Sequence, residues 1–258
     1  MNIIAIVSAK GGVGKTTFSA NLSIALGRIG VPTLAIDLDP QNALRLHYGF
    51  FSPSDGGLAQ ATLTGTDWRT SVLGLSNGCG LLPYGQVQEQ NREAFEQLLK
   101  DQPLLLRDHI HNLGLPENAV VILDTPPGPS VYLSQALSAC NIALIVLLPD
   151  AASYATLPLM TSLLQSYCLN RGDFNDYTYL INQVDHSRQL NSDVAHVMRM
   201  QFGPRALPLV HQDQAIPEAL ACNQYVGDYD PLSRATHDLT AVCEHLLGRL
   251  PFVSEITA

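Results

Sequence analysis

The chain has 258 residues, 46% hydrophobic and 14% charged, with a formal net charge of -9. This composition excludes a disordered chain and allows the large core of one α/β domain spanning 1–258. The acidic balance argues against a general nucleic-acid-binding surface, though not against a small basic patch.

A first apolar run, residues 3–8, leads into Ser8-Ala9-Lys10-Gly11-Gly12-Val13-Gly14-Lys15-Thr16-Thr17, and a helical pattern follows over 16–28. A strand, a glycine loop carrying Gly-Lys-Thr and a helix make the context of a phosphate-binding loop. The glycines let backbone N–H groups from Gly11 to Thr17 turn around an anion, and the helix N-terminus adds its positive dipole end. Lys15 is expected on the β- and γ-phosphates and the Thr16 hydroxyl on Mg²⁺. Two departures stand out. Ala9 occupies the position where the usual spacing has a first glycine, and Lys10 adds a second lysine. Only Lys10, Lys15 and Lys100 occur in the chain, against eleven arginines, so two lysines in one loop suggest a chemical role for both.

Further strands are expected over 33–37, 80–83, 120–124, 142–148, 178–182 and 206–210. Helices are expected over 42–48, 90–113, 131–139, 153–170, 190–202, 216–222 and 231–247. The alternation reads as βαβ units: an open, mostly parallel twisted sheet with helices on both faces, the α/β class of P-loop proteins. The second strand ends in Asp37-Leu38-Asp39-Pro40-Gln41, and residues two apart on a strand share a face. Ligands of such sheets bind beyond the carboxyl ends of the strands, so both carboxylates fall beside the loop. One can serve Mg²⁺ through water and the other can orient an attacking water; alternatively this is a turn in which Asp39 caps the next helix. The strand over 120–124 ends in Asp124, a Mg²⁺-associated carboxylate by position, followed by Thr125-Pro126-Pro127-Gly128. Gly128 can offer its N–H to a γ-phosphate and move when the phosphate leaves. After the sixth strand, Asn182-Gln183-Val184-Asp185 sits where a base reader belongs. It partly matches the guanine pattern Asn-Lys-x-Asp, with Gln183 in place of Lys, while the Asn182 amide alone suits adenine.

Residues 50–80 are the least regular, with the turn-like cluster 52–57 and the only tryptophan, Trp68; they allow an insertion or a partner surface. The five cysteines form no C-x-x-C, which fits a reduced cytoplasmic protein. The eight histidines form no helical H-x-x-x-H pair, so a metal site built from protein ligands alone is not expected. No signal peptide and no transmembrane helix are expected.

Lys-Gly-Gly-Val-Gly-Lys-Thr at 10–16, Asp-Leu-Asp-Pro-Gln at 37–41 and Asp-Thr-Pro-Pro-Gly at 124–128 resemble the ParA/MinD ATPases, whose deviant phosphate loop carries an extra signature lysine. Pro-Leu-Val-His-Gln-Asp at 208–213 and the stretch 226–235 extend the resemblance over nearly the whole chain. It implies ATP and Mg²⁺ as cofactors and a homodimer sandwiching two ATP molecules. Lys10 would reach the partner's nucleotide, Lys15 and Thr16 would keep their loop roles, and Asp37 and Asp124 would serve Mg²⁺ through water. Asp39 would position the hydrolytic water. Asn182 would read adenine, with the segment after Val210 closing over the base and Pro208, Val210 and Asp213 belonging to the nucleotide site.

Ala-Leu-Arg-Leu at 43–46, Gly-Thr-Asp-Trp-Arg at 65–69 and Leu-Leu-Pro-Tyr-Gly-Gln at 81–86 look like the branch encoded with bacterial cellulose synthase, the BcsQ type. That implies protein partners in an inner-membrane cellulose synthase complex and recruitment to the membrane through them. A DNA-partition ATPase is the alternative, with Arg188, Arg199 and Arg205 as its small basic patch, but the net charge of -9 weighs against nucleic acid. The tail at 250–258 lacks lysine and contains Pro251, unlike a lipid-binding amphipathic helix of a MinD-type spatial regulator.

Overall fold

A computed structural model describes residues 1–52, 56–74 and 78–250. Its strands are β1 (Asn2–Val7), β2 (Thr33–Asp37), β3 (Leu73–Gly74), β4 (Cys79–Leu82), β5 (Val120–Asp124), β6 (Ile142–Leu147) and β7 (Asp176–Ile181). They form one sheet in the order β3-β4-β2-β5-β1-β6-β7. Only the short β3 runs antiparallel to its neighbour; the other pairs are parallel. The helices are α1 (Lys15–Arg28), α2 (Leu58–Thr64), α3 (Glu89–Asp101), α4 (Leu105–Asn112), α5 (Val131–Ala139), α6 (Ala151–Tyr154), α7 (Leu157–Tyr167), α8 (Gln189–Phe202), α9 (Ala215–Ala221), α10 (Val226–Tyr229) and α11 (Arg234–Leu247).

The strands are continuous apolar runs because both sheet faces are covered. Ile3, Ala5 and Val7 of β1 join the cluster holding Phe95 of α3, Leu106 of α4, Leu133 of α5, Met160 of α7 and Met198 of α8. Ile4 and Ile6, one residue out of phase, join Phe18 and Leu22 of α1, Ala219 of α9 and Val242 of α11. This period of two turns a plain hydrophobic string into two cores. The register pairs Ile6 with Asp124 and Asp37 with Asp124, which brings the ends of β1, β2 and β5 to one edge.

Several boundaries differ from expectation for identifiable reasons. The helix expected over 90–113 is two: α3 ends at Asp101 and α4 starts at Leu105, with Pro103 between them. The helix expected over 153–170 splits into α6 and α7, with Pro158 in the first turn of α7. The helix expected from 231 starts at Arg234, where the Ser233 hydroxyl accepts the Thr236 N–H at 3.2 Å. Residues 44–48 form a 3-10 turn rather than an α-helix. The strand expected over 206–210 is not a full ladder. It touches β7 at a single bridge, Tyr179 to Ala206, and through the N–H groups of Leu207 and Val210. Pro208 lies between them and has no N–H to give.

In the irregular stretch, α2 and β3 were not expected from the sequence. Trp68 is not a partner surface: it is 2% exposed, donates from Nε1 to Thr62 Oγ1 at 3.0 Å and stacks on His109 at 4.5 Å. Residues 53–55 of the turn cluster, and the tail from 251 onward, lie outside the described residues. Trp68→Ala is expected to lower unfolding stability by about 3–5 kcal/mol, seen as a lower urea midpoint at unchanged slope. An unshifted midpoint would show that the α2 region packs independently of the core.

Candidate nucleotide site

The loop between β1 and α1 adopts the backbone that its glycines permit. Gly12 and Gly14 sit at φ of 73° and 87°, left-handed values that favour glycine. A Cβ on Gly14 would lie 2.6 Å from Asn182 Nδ2, so close approach also requires glycine there. Lys15 is buried and donates from Nζ to Ser8 Oγ at 3.0 Å, which stretches it back along the loop. Burial pulls its pKa down, while the charges of Asp124 and Asp39 pull it up. Thr16 and Thr17 are half-buried at the start of α1, and Gly11 and Gly12 are exposed at the loop tip.

The structure separates three carboxylates that the sequence could not rank. Asp37 Oδ1 accepts the Asp39 N–H at 2.9 Å and Asp37 Oδ2 accepts the Leu44 N–H at 3.1 Å. Asp37 therefore anchors the following turn with both oxygens. Asp39 Oδ1 accepts the Gln41 N–H at 2.9 Å in a local turn and does not cap the 3-10 turn at 44–48, whose N-cap position, Ala43, has no side-chain bond. Asp124 Oδ1 accepts from Ser19 Oγ at 2.8 Å, whereas Asp124 Oδ2 is buried with no hydrogen-bond partner among the described residues. An orphaned carboxylate oxygen beside the Thr16 hydroxyl fits a hard cation that brings its own water and phosphate oxygens. Among the described residues no three His, Cys, Asp or Glu side chains gather closely enough to hold a metal alone. Mg²⁺ here would be shared with phosphate.

Burial, followed by the neighbouring Asp124 charge, pushes the Asp37 pKa well above the ordinary carboxylate value. Burial raises Asp124 from 3.8 to about 6, against the pull of the Thr16 and Ser19 hydroxyls and Lys15. The folded chain thus holds this proton more tightly than the unfolded chain, and stability from this group falls as pH rises through that window. Asp124→Asn is expected to gain stability relative to wild type between pH 3.8 and about 6. Urea unfolding measured across that range checks it, and a constant difference would remove the raised pKa.

Gly128, at φ of 77°, donates its N–H to the Ser8 carbonyl at 3.0 Å. Offering that N–H to a γ-phosphate requires this bond to break. Lys10 Nζ lies 2.6 Å from Asp150 Oδ2 of the same chain, with both side chains about one-third exposed at 34% and 39%.

Next to the loop lies a cavity of about 230 Å³, lined among others by Gly14, Thr17, Asn182, Gln183, His211 and Asp213. Asn182 Nδ2 donates to the Val13 carbonyl at 2.8 Å, tying this wall to the loop. Pro208 and Val210 are not in the lining: Val210 is 1% exposed and packs into the core. The wall begins one residue later. Asp213 is in the lining, but its two oxygens accept the N–H groups of Ala215 and Ala235 at 2.9 and 2.8 Å. It joins the starts of α9 and α11. Ser8 and Ser19 escaped the sequence reading as site residues, while Gln183 entered it only in place of a lysine and His211 only within the segment after Val210. Ser19, one turn after Lys15 on α1, is the one with a positional signal. Gln183 carries a structural sign instead, a left-handed φ of 57°.

The fold and this edge define a P-loop nucleoside-triphosphatase of the ParA/MinD type. MinD from Pyrococcus horikoshii, solved with Mg-ADP, superposes with a TM-score of 0.79 at 21% identity, covering 100% of this chain and 98% of that one. The chromosome-partitioning ATPase Soj of Thermus thermophilus is 26% identical, with 96% of each chain covered. The family model for cellulose biosynthesis protein BcsQ matches residues 1–247, and the chain belongs to that family. The cellulose biosynthesis protein BcsQ of Salmonella typhimurium is 30% identical over 256 residues, 96% of this chain and 94% of that protein.

Proposed function

We propose that this chain is a Mg²⁺-dependent ATPase switch, a monomer that becomes a homodimer around two ATP molecules and hydrolyses ATP to ADP and phosphate. The observation that carries this reading is the pair of lysines in one loop, Lys15 buried against Ser8 and Lys10 outside the cradle, paired with the half-exposed Asp150. Lys15 and the N–H groups of Gly11 to Thr17 hold the phosphates. Thr16 and Asp124 hold Mg²⁺, with Asp37 fixing the turn that places Asp39. Asp39 positions the attacking water, and Lys10 neutralises charge on the partner's nucleotide. Asn182 and the wall carrying Asp213 hold adenine. The loss of the phosphate frees Gly128 and ends the dimer.

Membership of the BcsQ family supports an output in cellulose synthesis and secretion, with the ATP dimer assembling or localising that machinery. We expect a cytoplasmic protein brought to the inner membrane by protein partners; no helix among the described residues is long and apolar enough to cross a membrane. Light scattering tests the switch. Asp39→Ala is expected to give a lasting dimer with Mg-ATP and a monomer with Mg-ADP. A monomer in every nucleotide state rejects the sandwich, and undiminished ATP turnover removes Asp39 from the chemistry. Capture of cellulose synthase subunits from membrane extract by the ATP form, and not the ADP form, tests the pathway.

A further inference from the structure

His211 stands at the edge of the cavity read above as the base pocket, and its ring is bonded on both sides. Nδ1 lies 2.7 Å from Asp238 Oδ2, and the same carboxylate oxygen accepts the His211 backbone N–H at 2.9 Å. A carboxylate only accepts, so the ring proton sits on Nδ1 and Nε2 keeps its lone pair. Arg234 Nη2 points at that lone pair from 2.8 Å and His186 Nε2 from 3.0 Å. His186 in turn has Nδ1 3.1 Å from Ser192 Oγ. One consistent direction of donation follows: Ser192 to His186, His186 to His211, His211 to Asp238. The chain crosses four parts of the fold, namely α8, the loop after β7, the pocket wall and α11.

We propose that His211 is a positioning residue for the nucleotide base. As the neutral Nδ1–H form it ties the 211–214 wall to α11 through Asp238 and to the β7 loop through His186, so proton uptake by this histidine pair loosens the grip on nucleotide. The proposal rests on reading the cavity as the base pocket. A proton added to His211 Nε2 turns an acceptor into a donor that faces two donors, Arg234 and His186. A proton added to His186 instead sets a second positive charge against Arg234, both aimed at the same atom. Asp185 beside His186, and Asp213 and Asp238 at the wall, are the acidic groups nearby. Asp213 and Asp238 are already engaged with the N–H groups of Ala215, Ala235 and His211, and Asp185 with Arg188 and Ser187.

The test measures Mg-ADP affinity from pH 8 to pH 5.5 by calorimetry for wild type, His186→Gln and His211→Gln. Carboxylates of the Mg²⁺ edge and the phosphates of ADP titrate alike in all three, so the difference between profiles isolates the histidines. Wild type is expected to lose about fivefold to tenfold more affinity than His186→Gln between pH 8 and pH 5.5. Mg-pyrophosphate, which has no base, is expected to show no such difference. His186 is exposed, so its variant tests the idea even if His211→Gln fails to fold. Superimposable ADP profiles for wild type and His186→Gln overturn the inference, and so does an equal difference with pyrophosphate. Absence of Mg-ADP binding by wild type at pH 8 overturns the nucleotide-switch reading instead.

Discussion

Lys15→Ala is expected to weaken Mg-ATP binding by a factor of about 100 or more and to abolish turnover. Lys15 is 6% exposed at the start of α1, and its ammonium stretches back to Ser8 into a loop already lined with N–H groups. A charge-assisted hydrogen bond contributes about 1.5–3 kcal/mol, and two phosphate contacts reach the ~3 kcal/mol that a hundredfold loss requires. Lys15→Met separates charge from packing, because it keeps an apolar stem in the buried slot. Both variants are expected to lose nucleotide to similar extents by calorimetry, with Met retaining more of the folding stability. Wild-type affinity in Lys15→Met would mean that the backbone cradle and Mg²⁺ carry the binding without this charge.

The candidate nucleotide edge was legible in the sequence as an arrangement of loop and strand ends because its parts are local. Gly12, Gly14 and Lys15 follow β1 directly, and Asp37 and Asp124 each close an apolar strand. Strand register then pairs Asp37 with Asp124, something that alternation along one strand could not supply. The parts that escaped are long-range. Ser19 reaches Asp124 across 105 residues, and Asn182 reaches Val13 across 169. The helix breaks near Pro103 and Pro158 were visible as residues, yet the surrounding apolar spacing favoured one long helix. The resemblance puts the segment after Val210 over the base and assigns Pro208, Val210 and Asp213 to the nucleotide; Asp213 lines the cavity, whereas Pro208 and Val210 do not. The segment's fixed points are Asp213 and Asp238, whose carboxylates collect the N–H groups of Ala235, 22 residues away, and His211, 27 residues away, besides that of nearby Ala215.

Lys10→Ala is expected to separate nucleotide binding from cycling: monomer affinity for Mg-ADP stays within about threefold of wild type, while ATP-dependent dimerisation or turnover falls about 100-fold. The geometry explains the split. Lys10 lies at the loop tip and is paired with Asp150 of its own chain at 2.6 Å, so it contributes nothing to the phosphate cradle in this arrangement. Asp150 also accepts the Ser153 N–H at 2.7 Å, which fixes the carboxylate at the start of α6. A pair this exposed stabilises by about 1 kcal/mol or less, and salt screens it further. A triphosphate presented by a second subunit carries more charge and excludes water from the contact, so it can draw Lys10 away from Asp150. In the proposed dimer the cost of opening the intramolecular pair would be small beside the gain across the interface, and the second subunit's nucleotide would be the event that commits the switch. Light scattering and phosphate release read the two halves separately. Normal dimerisation together with normal turnover in Lys10→Ala would place Lys10 outside the shared site and leave Asp150 as its working partner.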